Sequence, residues 1–161
     1  MRDTWILVAD HARARLFSLG KGTPHLTETE NFVNPAARTP GRKREHAPPP
    51  RTHDRFGNAR HVIEPRTSPR DKLAARFAAS LASALKAGWN AGGFRQLVLI
   101  APPRFLGVLD AALDARLRES VVLKVARNLT RRSPATILAE LPKRFVGRGP
   151  LSPPGESASA R

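Results

Sequence analysis

Two stretches of this chain are apolar without a break: Trp5-Ile6-Leu7-Val8-Ala9 and Leu97-Val98-Leu99-Ile100-Ala101. Runs of that length with no polar alternation suit strands covered on both faces. The first run ends at Asp10. After a short turn at Asp10-His11, the segment Ala14 to Leu19 predicts a second strand, closed by Gly20-Lys21-Gly22. So short a connection favours an antiparallel hairpin. Leu26 to Val33 predicts a third strand, in which Leu26, Glu28 and Glu30 alternate with Thr27, Thr29 and Asn31. Neither face is very apolar, which puts this strand at a sheet edge. Asn34-Pro35 ends it.

Residues 36–70 then show no period. Order restarts at Ser68-Pro69-Arg70-Asp71, with Ser68 as N-cap, Pro69 at the first helical position and Asp71 placed to reach back to the cap. Leu73, Phe77, Leu81 and Leu85 follow at four-residue spacing, flanked by Ala74, Ala78 and Ala82, an apolar stripe with a smooth border suited to packing on a sheet. Gly88 and Gly92-Gly93 are expected to end this helix. Pro102-Pro103 stops the second apolar strand, and Leu106, Leu109, Leu113 and Leu117 predict a single helix. Val121 to Ala126 predicts a last strand. Ser133-Pro134 repeats the cap-and-Pro start, opening a short helix through Ile137, Leu138 and Leu141 until Pro142. From Val146 onward Gly, Pro and Ser dominate, so a folded unit over 1–145 and a disordered tail over 146–161 are expected.

The predicted order is β-β-β-(long basic loop)-α-β-α-β-α. With right-handed crossovers this makes an α/β fold of one domain: a mixed five-stranded sheet, helices on its faces, in a ribonuclease H-like layout. The strand order 3-2-1-4-5, with the second strand antiparallel, places both apolar runs in the middle.

Composition narrows the function. The 161 residues suffice for one core and not comfortably for two. The absence of Cys excludes a disulfide scaffold, a cysteine nucleophile and thiolate metal sites, and suits a reducing compartment. Formal net charge is +15, with 22 Arg and 6 Lys among the 28 basic residues. Base composition of a genome produces Ala- and Arg-rich chains of this kind. The functional reading is affinity for polyanions, since an Arg paired with a phosphate releases a condensed counterion. The apolar run at Trp5–Ala9 is too short for a signal peptide or a membrane span, so a cytoplasmic protein without a membrane partner is expected.

The segments WILVADHARARLF, ENFVNPAARTPGR, QLVLIAPPRFLGVLDAAL and VARNLT, in that order, resemble the bacterial family of host attachment proteins, from about residue 4 to 145. The most specific pieces are Ala9–Phe17, Asn34–Arg38 and Leu97–Gly107. Two departures stand out: Thr39-Pro40-Gly41-Arg42 replaces an acidic lead-in, and Asn128 stands where an Asp is usual. The family in turn is similar in layout to the middle domain of archaeal and eukaryotic peptide-release factors, where a long basic loop bearing Gly-Gly-Gln precedes a long helix. Here the loop has no Gly-Gly-Gln. Gly92-Gly93-Phe94-Arg95-Gln96 matches only in part, and after the helix, so peptidyl-tRNA hydrolysis is not implied.

The loop itself carries the candidate chemistry. From Arg38 to Arg70, nine Arg or Lys and three acids leave a net +6 in 33 residues with six prolines. Long structureless loops in compact domains are functional or disordered. The functional reading is a loop that orders on a phosphate backbone through Arg42, Lys43, Arg44, Arg51, Arg55 and Arg60, using the bidentate guanidinium fork. Phe56 is its lone aromatic, so base stacking is weakly supported. His46, His53 and His61, with Asp54, fit no zinc spacing and read as solvated residues. Asp10 ends a central strand where a nuclease would hold a metal, but Asp71, Asp110, Asp114 and Glu119 fall at helix starts or exposed faces. Asp10 therefore reads as a hairpin-turn residue. Pro102-Pro103-Arg104-Phe105 is not followed by a Gly-rich phosphate loop. Ser18, Ser80, Ser83 and Ser120 lack a nucleophile-elbow context. The expectation is a non-enzymatic protein without cofactor or metal that binds RNA or the ribosome; the rival is an interaction protein gripping an acidic protein or a surface polysaccharide. Oligomeric state cannot be read from these residues.

Overall fold

A computed structural model describes residues 3–20, 22, 24–38 and 67–146. Five strands form one sheet: β1 (Thr4–Ala9), β2 (Arg13–Leu19), β3 (Leu26–Val33), β4 (Gln96–Ala101) and β5 (Val121–Ala126). Their order is β3-β2-β1-β4-β5. β1 runs antiparallel to β2 and parallel to β4, β2 runs antiparallel to β3, and β4 runs parallel to β5. The sheet is mixed, and the two uninterrupted apolar runs lie side by side at its centre, with Ile6 opposite Val98 and Val8 opposite Ile100. The weakly apolar β3 is an edge strand, as its alternation requires.

Because successive strand residues point to opposite faces, β1 and β4 feed two cores. Leu7, Ala9, Leu97, Leu99 and Ala101 face one layer with Phe77, Leu81, Leu85, Leu109 and Leu117. Ile6, Val8, Val98 and Ile100 face the other with Phe17, Leu129, Ile137 and Leu141. Burying both faces of the two strands leaves no polar position over 5–9 and 97–101, which is why the runs read as continuous; the polar Thr4 and Gln96 stand at the strand starts.

The first layer holds α1 (Pro69–Asn90), α2 (Pro103–Ala112) and α3 (Ala115–Ser120). α1 starts on the predicted capping box: Ser68 Oγ accepts from Asp71 N at 3.1 Å while the Asp71 carboxylate accepts from Ser68 N at 3.3 Å. Its end comes just before Gly92-Gly93 as expected, and differs from the expectation only at Gly88. Gly88 lies inside the helix, where it leaves room for the Trp5 ring, and the chain leaves through Ala91 and Gly92, whose φ of 72° is left-handed. The segment after β4 also differs, being two helices instead of one. Leu113 is extended (ψ 139°), and Asp114 caps α3 by accepting from Leu117 N at 2.9 Å. The kink still buries both Leu113 and Leu117, so four-residue leucine spacing survives the break.

The second layer holds α4 (Pro134–Ala139), capped by Ser133 as expected, and a final turn α5 (Lys143–Val146). Phe145 and Val146 pack against the second core, so the folded part extends one residue past the expected boundary; the remainder of the expected tail, 147–161, lies outside the described residues. No described helix is long and apolar enough to cross a membrane.

Candidate functional site

The register of the sheet fixes which segments meet at each of its edges. Ala9 lies opposite Ala14, Arg13 opposite Val33, Val8 opposite Ile100 and Ala101 opposite Ala126. The β1–β2 turn, the exit from β3, the start of α2 and the segment after β5 therefore all open at one edge, the carboxyl edge of the parallel strands. The start of α1 is at the same edge, since Asp71 in its first turn takes Arg104 Nη2 at 2.7 Å, three residues beyond the end of β4. The predicted polyanion-binding residues Arg42, Lys43, Arg44, Arg51, Arg55 and Arg60 fall within 39–66, outside the described residues, as do His46, His53, Asp54 and His61. Both flanks of that segment are described, and both belong to the carboxyl edge.

The departing flank is held by Asn34. This buried side chain donates from Nδ2 to His11 O at 2.9 Å and accepts from Ala36 N at 3.2 Å, while Asn34 N donates to Ala12 O at 2.8 Å. The chain then enters a 3-10 turn over Pro35–Arg38. Asparagine does this well because one short side chain offers both a donor and an acceptor.

Asp10 sits behind the same edge. Its Oδ1 accepts from Ala12 N at 2.7 Å and Arg13 N at 2.9 Å, and its Oδ2 accepts from Thr130 Oγ1 at 2.8 Å. It is thus a turn residue that also ties the β1–β2 hairpin to the segment after β5. Burial pushes its pKa up, but the hydrogen bonds from Ala12, Arg13 and Thr130, with the charge of His11, outweigh burial and hold the carboxyl below its ordinary value. The other acids serve separate neighbours: Asp71 the cap of α1 and Arg104, Asp110 the ammonium of Lys124 at 2.7 Å, Asp114 the cap of α3 and Lys86 at 3.4 Å. Among the described residues, no three His, Asp or Glu side chains are grouped to hold a metal ion.

Beside Asp10 lies a groove of about 780 Å³, floored by the ends of β2 and β3 and walled by residues 130–133. Arg13, Arg15, Arg131 and Arg132 line it, with Asn31 and Val33, and among the described residues no acidic side chain does. Arg15 builds the wall. Its Nη1 donates to Thr130 O at 3.3 Å and Arg132 O at 2.7 Å, its Nη2 meets Glu28 Oε2 at 2.7 Å, and its guanidinium lies 4.9 Å from the Phe17 ring centroid. The hydrogen bond from Arg15 is the main cause holding the Glu28 carboxyl below its ordinary value. Arg13, Arg131 and Arg132 are exposed and have no carboxylate partner among the described residues.

These four arginines were absent from the sequence-based set. Arg13 and Arg15 alternate with Ala14 and Leu16 along β2, which signals one shared face, but nothing local tells that residues 130–132 cover it. The partial Gly-Gly-Phe-Arg-Gln match is at the opposite, amino edge. There Phe94 is buried and stacks on Trp5 at 4.7 Å between ring centroids, with Trp89 edge-on at 5.5 Å, and Gln96 opens β4.

No curated protein matches the chain. Among the solved structures with weak similarity are one titled "Archaeal protein" (TM-score 0.40, 15% identity) and the archaeal translation termination factor aRF1 (TM-score 0.42, 12% identity). The matches cover 82% and 86% of this chain, and the chain spans only 34% and 35% of those proteins. A family profile described as "Protein required for attachment to host cells" matches residues 5–141, which takes in all of the sheet but Thr4, and α1 to α4. The chain belongs to that family.

Proposed function

We propose that this protein is a non-enzymatic, cytoplasmic RNA-binding protein, acting on RNA free or within the ribosome, and that the basic segment 36–70 is its principal grip. The observation that carries the reading is a concentration of positive charge. A net +6 over Arg38 to Arg70 is anchored at both ends to one sheet edge, in a chain of net charge +15. A phosphodiester backbone is the partner whose chemistry matches such a surface, because each neutralised phosphate releases a counterion. Arg42, Lys43, Arg44, Arg51, Arg55 and Arg60 supply the contacts, and they position the RNA without reading its bases. The family description concerns attachment to host cells; on this reading attachment depends on the protein through gene expression.

The test is co-sedimentation with ribosomes at low and moderate salt. Binding should weaken steeply as ionic strength rises. Replacing Arg42, Lys43, Arg44 and Arg51 by Ser should reduce the slope of log K against log salt by roughly 3, at ~0.7 per single-strand phosphate contact. The thermal midpoint should hardly move, because exposed charges add little to folding. A protein that stays in the ribosome-free fraction and accumulates in washed culture medium refutes the reading in favour of a grip on an acidic protein or a surface polysaccharide.

A further inference from the structure

We infer that the groove between β2–β3 and residues 130–133 is a second, preformed contact for the RNA backbone, with Arg13, Arg131 and Arg132 as its phosphate ligands. This inference rests on the proposed function and adds to it a site outside the 36–70 segment. Three observations converge. The groove, at about 780 Å³, exceeds what a single phosphate needs, and among the described residues it is lined by four arginines and no acid. Three of those arginines are exposed and lack a carboxylate partner among the described residues, while other arginines at the same edge are neutralised: Arg15 by Glu28, Arg104 by Asp71 and Arg127 by Glu140 at 2.6 Å. The wall that presents Arg131 and Arg132 is fastened from behind by the Arg15 guanidinium on Thr130 O and Arg132 O, and by Asp10 on Thr130 Oγ1.

That fastening matters energetically. A flexible loop gives up chain entropy when it settles on a ligand, whereas a backbone already held by hydrogen bonds gives up only the side-chain freedom of its arginines. Arg15 is thus a positioning residue and Arg13, Arg131 and Arg132 are the contacts. Val33, 52% exposed and opposite Arg13 in the register, leaves an apolar strip on the floor against which a ribose can lie. The groove opens at the edge to which both described flanks of the basic segment are tied. A single strand is the form that fits, since the groove is bounded by walls and a duplex is a broad convex surface.

The experiment measures binding of a single-stranded oligouridylate between about 50 and 200 mM salt. It compares the full chain with three triple variants, one double variant and the basic-segment variant described above. Arg13→Ser/Arg131→Ser/Arg132→Ser should lower the slope of log K against log salt by about 2, from three contacts at ~0.7 each. The corresponding Lys triple should restore the slope, since a point charge displaces the same counterion. Arg76→Ser/Arg95→Ser/Arg116→Ser removes as much charge from positions away from this edge and should leave the slope in place. The double variant Arg131→Ser/Arg132→Ser, confined to one exposed turn, should lower it by about 1.4 and answers the question if the triple unfolds. Loss of slope in the basic-segment variant alone overturns the groove and leaves the proposed function standing. An equal loss in the Arg76/Arg95/Arg116 variant also overturns the groove, because it makes the effect one of bulk charge. A full chain that does not bind the oligonucleotide overturns both.

Discussion

Replacing Asp10 by Ala tests how the carboxyl edge is held together. Three donors lose their acceptor: Ala12 N, Arg13 N and Thr130 Oγ1, at 2.7, 2.9 and 2.8 Å. Hydrogen bonds to charged groups contribute about 1.5–3 kcal/mol each, so simple addition would give roughly 4.5–9 kcal/mol. The surroundings reduce this. Ala12 and Arg13 are in a solvent-facing turn, where water replaces the lost acceptor, and the buried Thr130 hydroxyl has a second partner, Asn128 Oδ1, at 2.8 Å. A loss of about 2–4 kcal/mol at neutral pH is expected, a large share of the ~5–15 kcal/mol that holds a domain folded. Asp10→Asn keeps an amide oxygen for the two turn N–H groups, and the Thr130 proton can turn to Asn128, so it should cost only about 1 kcal/mol. The assay is urea unfolding of all three proteins at pH 7 and at pH 3. The folded pKa of Asp10 lies below its unfolded value, so its stabilisation is fully present above the unfolded pKa of about 3.9 and is lost as pH falls through the folded pKa. The gap between the wild type and Asp10→Asn should therefore narrow at pH 3. An Asp10→Ala loss below 1 kcal/mol, or a gap independent of pH, refutes the role of this carboxylate as the tie between hairpin and 130–133 segment.

Two further outcomes are expected. A methyl group at position 88 would overlap the Trp5 ring, so Gly88→Ala should destabilise despite the gain of about 1 kcal/mol in helix propensity; overpacking costs ~1–3 kcal/mol, and an altered Trp5 fluorescence would accompany it. A more stable variant would show that Trp5 moves aside freely. Ser68→Ala should cost about 1 kcal/mol by removing the cap of α1. It should also raise the Asp71 pKa toward its ordinary value, because the hydrogen bond from Ser68 is the main cause of its depression, and an NMR titration of the Asp71 carboxyl reads this directly.

The sheet was legible in the sequence because its centre is made of two runs that no helix period fits, and because β3 carries too little apolar surface on either face to lie inside. The starts of α1 and α4 were legible from Ser-Pro pairs, in which the hydroxyl accepts from a backbone N–H of the first turn. The break before α3 was not, because Leu109, Leu113 and Leu117 satisfy the same spacing whether the chain between them is one helix or two. Asp114 decided it by capping where a continuous helix would have left it on the surface. The groove was illegible for a different reason. Its sides come from residues 13–15, 31–33 and 130–133, and the contact between Arg15 and Arg132 O spans 117 positions. Charge is local in a sequence, whereas a charged groove is a property of the strand order.

That strand order also accounts for where the charge gathers. In a sheet whose central strands are parallel, every segment leaving β1, β4 and β5 opens at the carboxyl edge, and the antiparallel β2 and β3 bring the hairpin turn and the 36–70 flank there as well. Arginines at 13, 15, 104, 127, 131 and 132 are thereby brought to one side of the molecule without being near one another in the chain. Mutual repulsion at such an edge is tolerable where a carboxylate sits within ion-pair distance, and Glu28, Asp71 and Glu140 each neutralise one guanidinium. No described acid does this for Arg13, Arg131 or Arg132. Among the described residues their charge neutralises nothing, and the backbone that carries the last two is nonetheless held by two separate side chains from β2 and the hairpin. Charge without an internal partner, on a backbone fixed from behind, is the arrangement expected of residues whose counter-charge arrives from outside.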